Sequence, residues 1–98
     1  MKHVIYKIGY FAERRAVLDL RNQGYTVVRS SRSLGPIDIV AINAERVRLI
    51  QVKNTRERII PKYLEDIKLL KLIKKPIECS IELWVWKVRF GWNYIPVS

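Results

Sequence analysis

The centre of this 98-residue chain carries two apolar runs of strand length, at residues 37–42 and 47–53. The residues between them read Asn-Ala-Glu-Arg, a composition typical of a turn. The two runs predict a β-hairpin, and a tight symmetric turn pairs Asp38 directly with Gln51. Lys53 projects from the same face as Gln51, because side chains alternate along a strand. A register slip of one residue would send Asp38 to the opposite face.

These apolar strands therefore contain a carboxylate, an amide and an ammonium group. Burying such groups is costly unless a partner compensates them. Ionisable groups held in unfavourable surroundings are concentrated at functional sites. We expect Asp38, Gln51 and Lys53 to converge on a site instead of belonging to the core.

A fourth polar residue, Glu13, lies on the inward face of the first predicted helix. This helix covers residues 9–23, and Gly24 is suited to cap it. Its helical spacing gathers an apolar stripe of Tyr10, Ala16, Val17 and Leu20, and places Arg15, Asp19 and Asn22 opposite. Glu13 falls within the stripe and should point toward the sheet. The alternative is that Glu13 reaches around to solvent or pairs with a lysine.

The rest of the chain predicts one compact domain over residues 1–98, without repeats or linkers. Its remaining elements are a strand at 25–29, a loop at 30–36, a helix at 61–75, and strands at 81–88 and 92–97. In the last two strands Trp84, Trp86, Trp92 and Tyr94 should pack a sheet face. Cys79, the single cysteine, is interpreted as a packing residue.

The second predicted helix is apolar over more than one stripe. One interpretation is that part of it faces another subunit. The other is that it is buried on two sides within one subunit. Its apolar residues are Tyr63, Leu64, Ile67, Leu69, Leu70, Leu72 and Ile73.

Charge favours a polyanionic partner, with nucleic acid considered first. Lys and Arg number 19 against 9 Asp and Glu, which gives a net charge of +10. A hydrophobic fraction of 49% argues against a disordered basic tail. No apolar run approaches the roughly 18 residues of a membrane-spanning helix. We expect a soluble, cytoplasmic protein.

The converging groups suit a hard divalent ion such as Mg²⁺, which prefers oxygen ligands and retains water. Glu13, Asp38, the Gln51 amide oxygen and the Val52 backbone carbonyl would supply an incomplete shell. Such an ion polarises a phosphodiester and lowers the pKa of bound water. Lys53 would orient that water or stabilise charge building on the phosphate.

The order of these residues resembles the PD-(D/E)xK nuclease superfamily, and more specifically the archaeal-type Holliday junction resolvases. The resemblance covers nearly the whole chain. It is carried by Ala12-Glu13-Arg14, by Val27-Val28-Arg29-Ser30 leading to Ser33, by Asp38-Ile39-Val40-Ala41, by Ile50-Gln51-Val52-Lys53, and by Gly91-Trp92.

The resemblance implies a restriction-endonuclease-like α/β domain, with a central mixed five-stranded sheet flanked by helices in the order α-β-β-β-α-β-β. It implies a homodimer that nicks two strands of a four-way DNA junction. The implied cofactor is Mg²⁺, which Mn²⁺ could replace, and the implied location is the cytoplasm of an archaeal or virus-infected cell. The implied catalytic residues are Glu13, Ser33, Asp38, Gln51 and Lys53. The implied DNA contacts are Arg14, Arg29, Ser30, Ser31, Arg32, Ser33, Lys53 and Arg56.

One departure from the family pattern is Gln51, which occupies the position of a glutamate. An amide oxygen ligates a divalent ion but brings no negative charge. A second hypothesis is therefore a DNA-binding protein of the same fold that lacks cleavage activity. A third is a structural RNA-binding protein, which would leave Glu13 and Asp38 unexplained.

Overall fold

The structure is a computed structural model that describes residues 2–30 and 35–98, with side chains from residue 11 onward. Its elements follow the predicted order α-β-β-β-α-β-β. They are α1 (Lys2–Asn22), β1 (Thr26–Arg29), β2 (Ile39–Ile42), β3 (Val47–Thr55), α2 (Leu64–Lys71), β4 (Cys79–Lys87) and β5 (Gly91–Pro96).

The five strands form one sheet in the order β1-β2-β3-β4-β5. The β3–β4 pair is parallel, and the other three pairs are antiparallel. A parallel pair needs a crossover connection, and the segment containing α2 provides it. The mixed five-stranded sheet is confirmed.

The predicted central hairpin is confirmed in its register, with Ile39 opposite Ile50 and Ile42 opposite Val47. The Asn43 side chain organises the turn, because its Oδ1 accepts hydrogen bonds from the backbone N–H groups of Glu45 and Arg46 at 2.9 Å each. A side chain that bonds its own turn in this way is the reason Asn favours such positions. The turn therefore fixes which residues of β2 and β3 face each other.

Two apolar clusters cover opposite faces of the sheet. Ala16, Val17 and Leu20 of α1 pack with Ile50 of β3. Leu49, the neighbour of Ile50, packs instead with the cluster that contains Leu70 of α2. Since adjacent strand residues point to opposite faces, α1 and α2 lie on different sides.

Helix α1 ends at Asn22, one residue before its predicted end, and begins earlier than predicted, at Lys2 instead of residue 9. The C-terminal end is a Schellman motif: the N–H of Tyr25 donates to the Leu20 carbonyl, and the N–H of Gly24 donates to the Arg21 carbonyl. Gly24 has φ +93, a conformation that glycine adopts without steric cost.

Helix α2 is shorter than predicted, since Leu64–Lys71 replaces residues 61–75. Tyr63 immediately before it is left-handed, with φ 51, so the helix does not continue back to Pro61. Strand bounds also differ from the predictions: β2 begins at Ile39, and β3 continues to Thr55 in register with β4.

The aromatic residues of the last two strands pack across the sheet as predicted. Trp84 lies opposite Tyr94, with ring centroids 4.7 Å apart, and Trp86 lies opposite Trp92 at 5.0 Å. Asp19 is not simply solvated, as its helical position suggested. Its Oδ2 accepts a hydrogen bond from Trp92 Nε1 at 2.8 Å, which ties α1 to β5.

A buried carboxylate, Glu82, joins β4 to β3. Arg48 donates to both of its oxygens, from Nη2 at 2.6 Å and from Nε at 2.8 Å. Ser80 Oγ and Trp84 Nε1 donate as well. Burial opposes ionisation, but these hydrogen bonds outweigh it and lower the pKa of Glu82 to about 2.

Candidate active site

The end of β3 and the middle of α1 enclose a cavity of about 290 Å³. The four predicted polar residues, Glu13, Asp38, Gln51 and Lys53, all line it. The other lining residues are Ala12, Gly35, Val52 and Asn54. The elements thus bring these side chains together as the hairpin register and the helix periodicity predicted, while their catalytic roles remain predictions.

Asp38 is held to β3 by two hydrogen bonds, one from its backbone N–H and one to its carboxylate. Its backbone N–H donates to the Ile50 carbonyl at 2.9 Å, and its Oδ2 accepts the Val52 N–H at 2.8 Å. Burial raises the pKa of Asp38, and the Val52 N–H, Lys53 and Arg29 oppose that rise. The carboxylate is therefore fixed in position but incompletely compensated.

Glu13 approaches the same cavity from α1. Burial raises the pKa of its carboxyl, and repulsion by Asp38 raises it further, whereas Arg29 lowers it. Arg29 Nη2 lies 3.8 Å from Glu13 Oε2, a loose ion pair between β1 and α1. The inward orientation predicted for Glu13 is confirmed, and its ionic partner is an arginine of β1 instead of a lysine.

Gln51 and Lys53 contact a carboxylate that lies on α2. Gln51 Nε2 donates to Asp66 Oδ1 at 3.3 Å, and Lys53 Nζ lies 3.2 Å from the same oxygen. Gln51 is only 8% exposed, yet its Oε1 has no hydrogen-bond partner among the described residues. Among the described residues, the buried Oδ1 atom of Asn54 also lacks a hydrogen-bond partner.

The oxygen atoms of the side chains at the cavity are suitable ligands for a hard divalent ion. Such an ion prefers oxygen ligands, and a buried amide oxygen without a partner is an available one. The carboxyl groups of Glu13 and Asp38 have raised pKa values, so a nearby positive charge would stabilise their ionised forms. Residues 2–30 and 35–98 contain no group of three or more His, Cys, Asp or Glu side chains placed to bind a metal, so amide or backbone oxygens would complete the shell.

The predicted DNA contacts divide into two groups. Ser31, Arg32 and Ser33 lie outside the described residues. The others are on the surface or at the cavity: Arg14, Arg29, Ser30, Lys53 and Arg56.

Arg14 and Arg56 line a second groove of about 410 Å³, beside exposed Phe11. This groove shares Ala12 and Asn54 with the cavity, so it continues directly from it.

The sequence did not reveal two residues of this region, Asp66 and Asn54. Asp66 belongs to a helix that was interpreted from its apolar residues alone. A polar residue on such a helix usually faces solvent. Asn54 extends the alternation of β3 beyond its predicted end at residue 53. Recognising the longer strand would have added Asn54 to β3, on the face that Val52 shares with α1 and opposite to Lys53.

This α/β domain has the features of a nuclease of the PD-(D/E)xK class. They are the mixed sheet, the helices on its two faces, and the cluster of Asp38, Gln51 and Lys53 at the central hairpin. The family model described as archaeal Holliday junction resolvase (Hjc) matches residues 4–93. The chain belongs to that family.

A solved structure supports the same fold. It is the 1.6 Å structure of Archaeoglobus fulgidus Hjc, a Holliday junction resolvase from an archaeal hyperthermophile. The match has a TM-score of 0.74 and 24% sequence identity, and it covers 91% of this chain and 72% of that one. No helix within the described residues is long and apolar enough to span a membrane.

Proposed function

We propose that this protein is a metal-dependent endonuclease that cuts four-way DNA junctions at paired positions. The observation that carries the proposal is the cavity in which Glu13, Asp38, Gln51 and Lys53 meet. Membership of the Holliday junction resolvase family supports the substrate. The net charge of +10 supports binding to the DNA backbone without base specificity.

In this proposal Glu13, Asp38, Gln51 Oε1 and the Val52 carbonyl hold Mg²⁺, for which Mn²⁺ substitutes. When bound, the ion supplies polarisation of the phosphodiester and lowers the pKa of a water ligand. Lys53 donates hydrogen bonds to the attacking water or to a phosphate oxygen on which charge accumulates. Arg29 counters the negative charge of Glu13 and holds a phosphate near the cavity, and Ser33 supports cleavage.

Paired cuts require two active sites, which supports a homodimer. Helix α2 and its C-cap residue Leu72 offer an apolar surface for it, because Leu64, Leu69 and Leu72 are 68%, 52% and 72% exposed. The interpretation of α2 as buried on two sides within one subunit is wrong for these three residues. Leu70, in contrast, is fully buried against the sheet.

The competing function is junction binding without cleavage, and the observation that favours it is Gln51. Without a carboxylate at this position the site has less negative charge for a cation. The two functions make the same prediction for DNA binding but opposite predictions for metal-dependent cutting.

The test incubates a labelled four-way junction with Mg²⁺ or Mn²⁺ and maps the nicks. Wild-type protein should give symmetric pairs of cuts that EDTA abolishes. Asp38→Asn should lower the cutting rate by about a hundredfold or more. Glu45→Gln, in the exposed hairpin turn, is the matched control and should cut normally. Tight binding without cutting by wild type would favour the competing function, and undiminished cutting by Asp38→Asn would remove Asp38 from the site.

A further inference from the structure

Asp66 Oδ1 contacts two β3 side chains that line the cavity, Gln51 and Lys53. It lies 3.3 Å from Gln51 Nε2 and 3.2 Å from Lys53 Nζ. In sequence Asp66 is separated from them by the end of β3 and a turn, and α2 brings it back over the sheet. One carboxylate therefore contacts both an amide and an ammonium group of the candidate site.

Chemistry fixes the orientation of the Gln51 amide in this arrangement. An ionised carboxylate accepts hydrogen bonds and cannot donate them, so it must face the NH₂ end of the amide. Reversing the amide would place Oε1 against Asp66 Oδ1, two acceptors without a proton between them. Asp66 thereby leaves Oε1 as the free end of a side chain that is only 8% exposed.

Asp66 also provides the negative charge that residue 51 lacks. In the family pattern a glutamate precedes the lysine by two positions on one strand, whereas this strand carries Gln51. Here the carboxylate beside Lys53 comes from α2 instead, at ion-pair distance. The amide oxygen and the carboxylate charge, which a glutamate combines, are thus divided between Gln51 and Asp66.

We propose that Asp66 is a positioning residue of this active site: it fixes the Lys53 ammonium and the NH₂ end of the Gln51 amide, and so leaves the Gln51 amide oxygen available to the cavity. This inference rests on the proposed endonuclease function. Asp66 does not line the cavity, so it acts through its two neighbours and not on the substrate. Partners of this kind, which orient metal ligands, typically change metal affinity or activity by about 10- to 100-fold when they are removed.

The bland alternative is that Asp66 only stabilises its helix. Acidic residues in a first turn favour helix formation, and both Glu65 and Asp66 lie in the first turn of α2. Glu65 is exposed and makes no contact with Gln51 or Lys53 among the interactions of the described residues. Glu65→Gln is therefore the matched control for Asp66→Asn.

The first measurement is Mn²⁺ affinity of the protein alone, by calorimetry or electron paramagnetic resonance, followed by the single-turnover rate on a four-way junction. Asp66→Asn should weaken Mn²⁺ binding and slow cutting by roughly 10- to 100-fold. Junction binding in EDTA and the unfolding temperature should match those of Glu65→Gln. An Asp66→Asn variant that equals Glu65→Gln in Mn²⁺ affinity and rate would overturn the inference.

The second measurement exchanges the two groups in a double-mutant cycle. In Gln51→Glu alone, the new carboxylate lies beside Asp66 and the two repel. In Gln51→Glu with Asp66→Asn, the carboxylate returns to the strand, still beside Lys53, and the amide moves to the helix. We expect Gln51→Glu to accelerate cutting at least about tenfold more in the Asp66→Asn background than in wild type. Equal effects in both backgrounds would mean that the residues are uncoupled, and would overturn the inference.

The two hypotheses fail in different ways. If wild type cuts no junction, the endonuclease function fails, and the Mn²⁺ affinities alone then decide the role of Asp66. If wild type cuts and Asp66→Asn cuts and binds Mn²⁺ equally well, the endonuclease function stands and the positioning role is rejected.

Discussion

At the scale of single residues, the carboxylate of Asp38 shows a conflict between stability and function. It is held by the Val52 N–H, yet burial still raises its pKa. Folding therefore disfavours the ionised form, and the cost is present at pH values above the folded pKa. As pH falls through that pKa the carboxyl binds a proton and the cost disappears.

Asp38→Asn should consequently stabilise the protein at neutral pH. The amide retains an oxygen to accept the Val52 N–H but carries no charge to desolvate. We expect the free energy of unfolding in EDTA to rise, while cutting falls sharply. Urea denaturation at pH 7 measures it, with Glu45→Gln as the exposed control. A destabilised Asp38→Asn protein would contradict the inferred cost.

The sequence was sufficient for the residues placed by local rules. Asp38, Gln51 and Lys53 follow from strand alternation and one turn, and Glu13 follows from helical periodicity. Asp66 could not be found in this way, because its contact with β3 exists only after the crossover folds. Polarity inside an apolar run is also ambiguous: Glu82 has the same pattern as Asp38 but is paired by Arg48 in the sheet.

At the scale of elements, the parallel β3–β4 pair depends on this Arg48–Glu82 bridge. The depressed pKa of Glu82, about 2 against 4.5, means that its ionised form favours the folded state. That contribution is complete above about pH 4.5 and is lost as pH falls toward 2. The same interaction raises the pKa of Arg48, so the guanidinium stays charged throughout.

Glu82→Gln should destabilise the domain by about 3 to 5 kcal/mol, because it leaves the Arg48 charge without its partner in a largely buried position. Thermal unfolding at pH 7 measures the loss, and the variant should lose less stability than wild type between pH 4.5 and 2. A double variant, Arg48→Met with Glu82→Leu, should recover much of the difference because no charge remains buried. An unchanged unfolding temperature for Glu82→Gln would show that the bridge contributes little.

The elements themselves were predicted in type and order, but the ends of the helices were not. Helix α2 starts at Leu64 because Tyr63 adopts a left-handed conformation while its ring packs against the cluster around Leu70. Tertiary packing sets this conformation, and tyrosine carries no local signal for it in the way that Gly24 does. Local patterns thus identify helices better than they locate their ends.

At the scale of the whole molecule, the exposed leucines of α2 and of its C-cap predict self-association. Replacing Leu69 or Leu72 with glutamate should raise the dimer dissociation constant by at least about a hundredfold, because a charge would be buried at the interface. Sedimentation equilibrium measures the change, with Phe90→Glu at the β4–β5 turn as the matched control. A wild-type protein that stays monomeric at all concentrations would reject the proposed interface.

The net charge of +10 makes a separate prediction about DNA binding. Each phosphate that a basic side chain neutralises releases counterions, so the logarithm of the binding constant falls linearly with the logarithm of salt concentration. Arg14 and Arg56 line the groove that continues from the cavity. If DNA passes through this groove, each arginine contributes to that slope.

Arg14→Ala and Arg56→Ala should each reduce the steepness of the slope by about 0.9 and weaken binding similarly for junctions of different sequence. Fluorescence anisotropy in EDTA at several KCl concentrations measures both effects without cutting. Lys74→Ala removes the same charge from an exposed residue that lines neither the groove nor the cavity, and its slope should match wild type. Equal slopes for all three variants would mean that the positive charge attracts DNA as a whole and that its path lies outside the groove.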